Sequence, residues 1–151
     1  MPGMTTENQA MSVQIAKTEA EVRACFPVMR ELRTHLSEAD FIARVLRQEQ
    51  AGYRLAYVAE NGRVISVAGF RFFDNLASGA VLYVDDLATC ADERSKGYGA
   101  HLFDWLLEQA RARNCDTLEL DSGVQRFAAH RFYLTRRMEI VSHHFRLNLR
   151  G

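Results

Sequence analysis

Residues 81–107 constrain the fold of this chain more than any other stretch. Val81-Leu82-Tyr83-Val84-Asp85-Asp86-Leu87-Ala88-Thr89 has the β-branched and aromatic content of a strand. Cys90 to Glu93 form a small polar break, and Arg94-Ser95-Lys96-Gly97-Tyr98-Gly99 leads into Leu102, Phe103, Leu106, Leu107 and Ala110 at helical spacing. A strand that feeds a glycine turn at a helix N-terminus aims several free backbone N–H groups, and the positive end of the helix dipole, at one point. Gly97 and Gly99 lack a Cβ, so the backbone there can take unusual φ values and a diphosphate can approach it closely. Two glycines alone fit a plain helix start as well as an anion site; Arg94, Lys96 and the strand-turn-helix context point to an anion.

Two well-known phosphate loops do not match. A P-loop needs Lys-Ser/Thr after its last glycine, and this chain has Ala100-His101. A dinucleotide fingerprint needs a third glycine where Leu102 stands. The pattern present is Arg-x-x-Gly-x-Gly after a strand ending in Leu87-Ala88-Thr89. It resembles the acetyl-CoA loop of the GNAT N-acetyltransferase superfamily. That resemblance implies acetyl-CoA as acyl-donor substrate, bound by Leu87, Ala88, Thr89, Arg94, Ser95, Lys96, Gly97, Tyr98, Gly99 and Ala100, with the backbone amides of residues 94–100 wrapping its pyrophosphate.

The rest of the chain falls into a compatible order. Residues 1–11 are small and polar and are expected to be a flexible tail, leaving 12–151 as a single domain. Val13 to Ala16 predict a first strand, and Thr18 with Glu21 a capping box that opens a helix through Val22, Cys25, Phe26, Met29 and Leu32. Pro27 either kinks or divides that helix. Ser37 with Asp40 begins another, with Phe41, Ile42, Val45 and Leu46 inward and Gly52 at its end. Glu31, Arg33, His35, Glu38 and Asp40 near the intervening turn read as solvated surface. In the resembled family this region overhangs the acceptor groove.

A meander of strands follows: 53–59, a hairpin on Asn61-Gly62, 64–73 with Gly69 as a possible bulge, and 79–89. Residues 117–121 read as a strand whose helical crossover makes it parallel to its partner. A helix over 124–136 and an alternating closing strand over 138–149 complete the pattern. The expected fold is therefore α/β (α+β) and GNAT-like: a mixed, mostly antiparallel central sheet with a parallel, splayed strand pair and helices on both faces.

Three further features bear on chemistry. Ala129-His130-Arg131-Phe132-Tyr133 is similar to the Ala-x-x-Phe-Tyr segment of GNAT proteins, which implies that Tyr133 is a general acid for the departing thiolate. A phenol titrates near 10, so it stays protonated at neutral pH. The family often has Asn where this chain has Arg126, and Gly-Phe where it has Arg137-Met138; Arg126 is open to a CoA phosphate, an acidic acceptor or solvent. Asp85 and Asp86, adjacent in an apolar strand, are costly unless solvent, a partner or a ligand meets them. Alternation sends them to opposite faces unless a bulge intervenes. In the resembled family an acidic residue here binds the amine or takes its proton.

The 19 basic and 19 acidic residues cancel, which argues against general nucleic-acid or membrane-surface binding. No apolar run is long enough for a membrane helix. Cys25, Cys90 and Cys115 share no metal-like spacing, no His/Cys/carboxylate cluster has ligand spacing, and the N-terminus shows no secretory pattern. These features predict a metal-free cytoplasmic protein with reduced thiols. The function expected is N-acetyl transfer to a primary amine of a small molecule or peptide, a cationic amine being favoured by the acidic groove. The alternative is a non-catalytic CoA-binding sensor. The apolar edge at 138–149 predicts a homodimer.

Overall fold

The computed structural model describes residues 11–151, which fall into two compact units meeting between Glu119 and Leu120; the tail expected at residues 1–11 lies, apart from Met11, outside the described residues. In the first unit, β1 (Val13–Ile15) precedes α1 (Glu19–Ala24) and α2 (Phe26–Leu32). The Thr18 hydroxyl accepts from the Glu21 amide at 3.1 Å, as the capping box requires. Pro27 divides the helix rather than kinking it: α1 stops at Cys25, and the proline falls in the first turn of α2, where its missing N–H has no helical partner to lose. Ser37 caps α3 (Glu38–Glu49) through the Asp40 amide. Phe41, Ile42 and Val45 are buried there, whereas Leu46, expected inward, is exposed because it lies past the edge of that stripe.

Strands β2 (Arg54–Glu60), β3 (Arg63–Asn75) and β4 (Gly79–Thr89) form the antiparallel meander, and β5 (Thr117–Leu120) lies beyond β4 in parallel, giving the order β1-β2-β3-β4-β5. Asn61 and Gly62 both take positive φ at the first hairpin, as an Asn-Gly turn does. The start of β5 is tied to β4 by Asp116, whose amide donates to the Ala80 carbonyl at 2.7 Å and whose carboxylate accepts from the Ala80 amide at 2.8 Å. Helix α4 (Tyr98–Ala112) buries Leu102, Phe103, Leu106 and Ala110.

Neighbouring residues of β3 separate the two faces of this sheet. Phe70 meets Trp105 of α4 edge-on at 5.5 Å between ring centres. Gly69 faces the opposite side, where Tyr53, Asp86 and Arg33 gather. Helices therefore cover both faces, as expected. The bulge sits on the partner strand rather than at Gly69. Gly69 pairs with Asp86 and Phe70 with Val84, which leaves Asp85 as the extra residue of β4.

The second unit, Leu120–Gly151, contains α5 (Phe127–Thr135). The closing strand expected over 138–149 is not formed: that segment has no regular structure, and Ile140, Val141, Phe145, Leu147 and Leu149 are exposed. Alternation marks a segment that can pair, but only a neighbouring strand satisfies its amides and carbonyls, and none pairs with it among the described residues.

The crowded contact at Gly69 yields a stability test. A Cβ there would fall on the Tyr53 hydroxyl and within 2.6 Å of the Asp86 carboxylate. Gly69→Ala should displace that bond and cost about 1–3 kcal/mol, the usual penalty of overpacking. Urea denaturation measures this, and an unchanged midpoint would refute the packing described.

Candidate active site

The bulge at Asp85 places both aspartates on one face of the sheet. Asp86 stands opposite Gly69, and the missing Cβ leaves room for the Tyr53 hydroxyl to reach it, donating to Oδ2 at 2.8 Å. Arg33, the residue that ends α2, donates from Nε to Asp86 Oδ1 at 2.9 Å and from Nη2 to the Asp85 carbonyl at 2.8 Å. Asp85 pairs with Arg71, two residues beyond Gly69 on β3 and so on the same face, at 3.0 Å. The Arg71 guanidinium also lies over the rings of Phe73 and Tyr83, at 5.2 and 5.1 Å. Arg33 is thus a structural tie between α2 and the bulge, not the solvated residue that its exposed sequence context suggests.

These surroundings separate the two carboxylates. Burial raises the Asp85 pKa above the ordinary carboxylate value, and the Arg71 hydrogen bond and charge only partly oppose this. Asp86 is 14% exposed and has both oxygens engaged. The Tyr53 hydroxyl, buried and next to Asp86, is pushed well above 10.0, chiefly by burial and then by that negative charge. It is locked as a hydrogen-bond donor.

Beside Asp86 is a cavity of about 230 Å³. Met29, Leu36, Phe41 and Val45 supply its apolar wall, and Arg33, His35, Arg44, Gln48 and Tyr53 its polar one. The four residues from α3 recur at i, i+3, i+4 and i+7, which puts them on one helix face. Arg44 carried no site signal in the sequence, and His35 only the likeness of its region to one that overhangs the acceptor groove. They share a cavity with Tyr53, just before β2, and Asp86 of β4, both distant in sequence.

At the C-terminal end of β4 the chain turns sharply. Ser95 has φ 70° and Gly97 φ 90°, the left-handed region that favours glycine. Gly99 does not share it; an added Cβ there would only touch the Thr89 hydroxyl at 3.4 Å. The first helical bond of α4 runs from the His101 amide to the Gly97 carbonyl, and no side chain caps the helix. The amides of Tyr98, Gly99 and Ala100 therefore point outward from its positive end. That is the donor set a pyrophosphate needs.

The side chains expected around this turn are engaged elsewhere. Lys96 pairs with Glu93 at 2.7 Å, and Arg94 donates to the Thr89 carbonyl at 3.1 Å and lies 3.8 Å from Glu31. The buried Tyr98 hydroxyl bonds Glu60, so only its backbone faces an anion. Thr89 Oγ1 is 3.0 Å from Ser66 Oγ. The Ala88 carbonyl accepts from Ser66 Oγ at 3.1 Å.

In the second unit Tyr133 is the buried residue of α5. Burial raises its pKa from 10.0, and the charge and hydrogen bond of Arg126 work the other way. Arg126 lies seven residues before the phenol, at the N-terminal end of the same helix. His130 Nε2 lies 2.7 Å from the Gly123 carbonyl and the exposed His144 lies 3.6 Å from Asp121. The three thiols are free, and Cys25 is pushed up to about 12, chiefly by burial, which removes it as a nucleophile. Among the described residues no helix is long and apolar enough to cross a membrane, and no three His, Cys, Asp or Glu side chains cluster as metal ligands would.

Comparison with known proteins agrees with this architecture. The acetyltransferase (GNAT) family model matches residues 16–138. The chain is 36% identical over 109 residues to the Bacillus subtilis (strain 168) protein named uncharacterized N-acetyltransferase YhdJ, covering 72% of this chain and 77% of that one. Among solved structures, a Trypanosoma brucei acetyltransferase superposes with a TM-score of 0.75 at 20% identity, over 91% of this chain and 99% of the other. A ribosomal-protein-alanine N-acetyltransferase from Brucella melitensis biovar Abortus 2308 reaches 0.77 at 14% identity with the same coverage. The last two likenesses show the fold alone; together with the family match and the Bacillus relative, they mean that this chain belongs to the GNAT acetyltransferase family.

Proposed function

We propose that the chain moves an acetyl group from acetyl-CoA to a primary amine by direct attack. The observation that carries this reading is the uncapped N-terminus of α4, with Gly97 at φ 90° and three outward amides. It is reached by one short turn from the strand that bears the aspartate bulge. The YhdJ name supports nitrogen as the acceptor atom. In this reading residues 12–151 act as one domain.

The chemistry divides among few groups. The amine nitrogen bonds to the thioester carbon, the carbon–sulfur bond breaks, and the sulfur leaves as thiolate. Asp85 takes the proton that the amine must lose, a task for which its raised pKa suits it. Asp86 acts through Arg33 and Tyr53 by holding the bulge in shape. Tyr133 gives its phenolic proton to the thiolate, and the positive charge of Arg126 partly offsets the effect of burial on the phenol. The pair Asp85 and Tyr133 favours turnover over a non-catalytic CoA sensor, since a sensor needs neither. We place the protein in the cytoplasm as a homodimer whose second copy covers Ile140, Val141, Phe145, Leu147 and Leu149. Light scattering over a concentration series should then give twice the chain mass; monomer throughout would refute the dimer.

Binding tests the glycine turn. Acetyl-CoA at 100 times its Kd should stabilise the protein by about 2.7 kcal/mol. Gly99→Val needs no positive φ, so the free protein should melt normally while acetyl-CoA binding weakens at least about tenfold. Unchanged affinity in that variant would overturn the assignment.

Kinetics test the roles. Tyr133→Phe should lower kcat by about 10²- to 10⁴-fold with acetyl-CoA affinity intact. Asp85→Asn should lower kcat/KM for the amine and abolish the acid limb of its pH profile. That limb should lie above the ordinary carboxylate value, because activity is lost as pH falls through the raised pKa. The same shift makes folding take up a proton between 3.8 and the folded value, so this group's contribution to stability falls as pH rises through that window. In Asp85→Asn that slope should vanish from melting temperatures. Asp86→Asn should mainly lower stability. Wild-type kinetics in both Tyr133→Phe and Asp85→Asn would refute the roles.

A further inference from the structure

The sign of the charge in the cavity beside Asp86 runs against the acidic look of the strand. Asp86 is the one carboxylate among its described lining residues, and its oxygens are already met by Arg33 at 2.9 Å and the Tyr53 hydroxyl at 2.8 Å. Arg33 spends Nε and Nη2 on Asp86 and the Asp85 carbonyl, which leaves its remaining N–H groups to donate. Arg44, on the same face of α3 as the buried Phe41 and Val45, makes no ion pair among the described residues. With His35 neutral, the lining bears one net positive charge, and His35 adds a ring donor.

Such a lining repels a bare ammonium and offers guanidinium forks to a carboxylate or phosphate. A volume of about 230 Å³ lies below the ~300–1,000 Å³ of sites for drug-sized ligands, so the group it takes is compact. We propose that the acceptor is a small primary amine bearing an anionic group, read by Arg44 and the free edge of Arg33, with its amine directed to the aspartate bulge. This rests on the acetyl-transfer reading and replaces the cationic amine that the acidic groove favours from sequence.

Three probes with the same aminoethyl group separate the possibilities: ethanolamine, O-phosphoethanolamine and β-alanine. Calorimetry is run on protein saturated with CoA, so that the glycine turn cannot take the phosphate. At least one of the anionic probes should bind about tenfold more tightly than ethanolamine, and the tighter of the two identifies phosphate or carboxylate as the recognised group. Arg44→Gln, at an exposed position with no ion pair among the described residues, should erase that preference while leaving the melting temperature and CoA affinity unchanged. Equal or tighter binding of ethanolamine, no saturable binding of either anion, or a preference that survives Arg44→Gln would overturn the inference. Thiol release from acetyl-CoA separates the two levels. Arg44-dependent binding of an anionic amine without release would leave the pocket assignment standing and sink acetyl transfer. Release with ethanolamine in preference to both anionic probes would do the opposite.

Discussion

The site depends on one crowded contact: the Asp86 carboxylate held between Arg33 and Tyr53 across a glycine. Each part requires the others. Without a Cβ at Gly69, the Tyr53 ring lies flat enough on β3 for its hydroxyl to reach Asp86 at 2.8 Å. With Asp86 so held, Arg33 can bind the next carbonyl along, that of Asp85 at 2.8 Å, and so brace the bulge with the end of α2. A polar cluster of this kind is unstable if half satisfied and rigid if complete. Here every oxygen of Asp86 has a donor.

The bulge sets the chemistry of its two carboxylates apart. Adjacent like charges on one face repel, and two arginines from different elements offset that repulsion. The compensation is unequal. Asp86 receives two direct donors and serves the structure, whereas for Asp85 burial outweighs Arg71 and the pKa rises. Two residues with identical side chains thereby acquire different properties from position alone. The bulge also leaves the β3–β4 ladder irregular at that point, where backbone groups of β4 are released from pairing.

The glycine turn at the C-terminal end of β4 is built differently. It presents backbone amides and a helix dipole, and the charged side chains nearby are mostly engaged with one another: Lys96 with Glu93, Arg94 with Glu31, Arg63 with Asp92. Those ion pairs hold the turn in shape and contribute little net charge towards a ligand. What that turn offers a ligand follows from the path of the backbone, whereas the cavity under α3 is lined by charged side chains.

Sequence by itself determined the parts whose causes are local. Thr18 and Ser37 cap their helices because the hydroxyl and the amide it satisfies lie three residues apart. Asn61-Gly62 closes a hairpin because both residues tolerate positive φ, and Gly97 turns β4 into α4 for the same reason. The family likeness was legible at Arg94 to Gly99 and at Ala129 to Tyr133 because each motif is short and contiguous. Only the tertiary structure decided which face the aspartates take, since that depends on the register of β3 against β4 and on one unpaired residue in it. It also decided that Arg33 belongs to Asp86, 53 residues away, and that Arg44 shares a cavity with both. The alternating residues of 138–149 show the same limit from the other side. Periodicity specifies which side chains would share a face, but a strand exists only where another strand completes its hydrogen bonds.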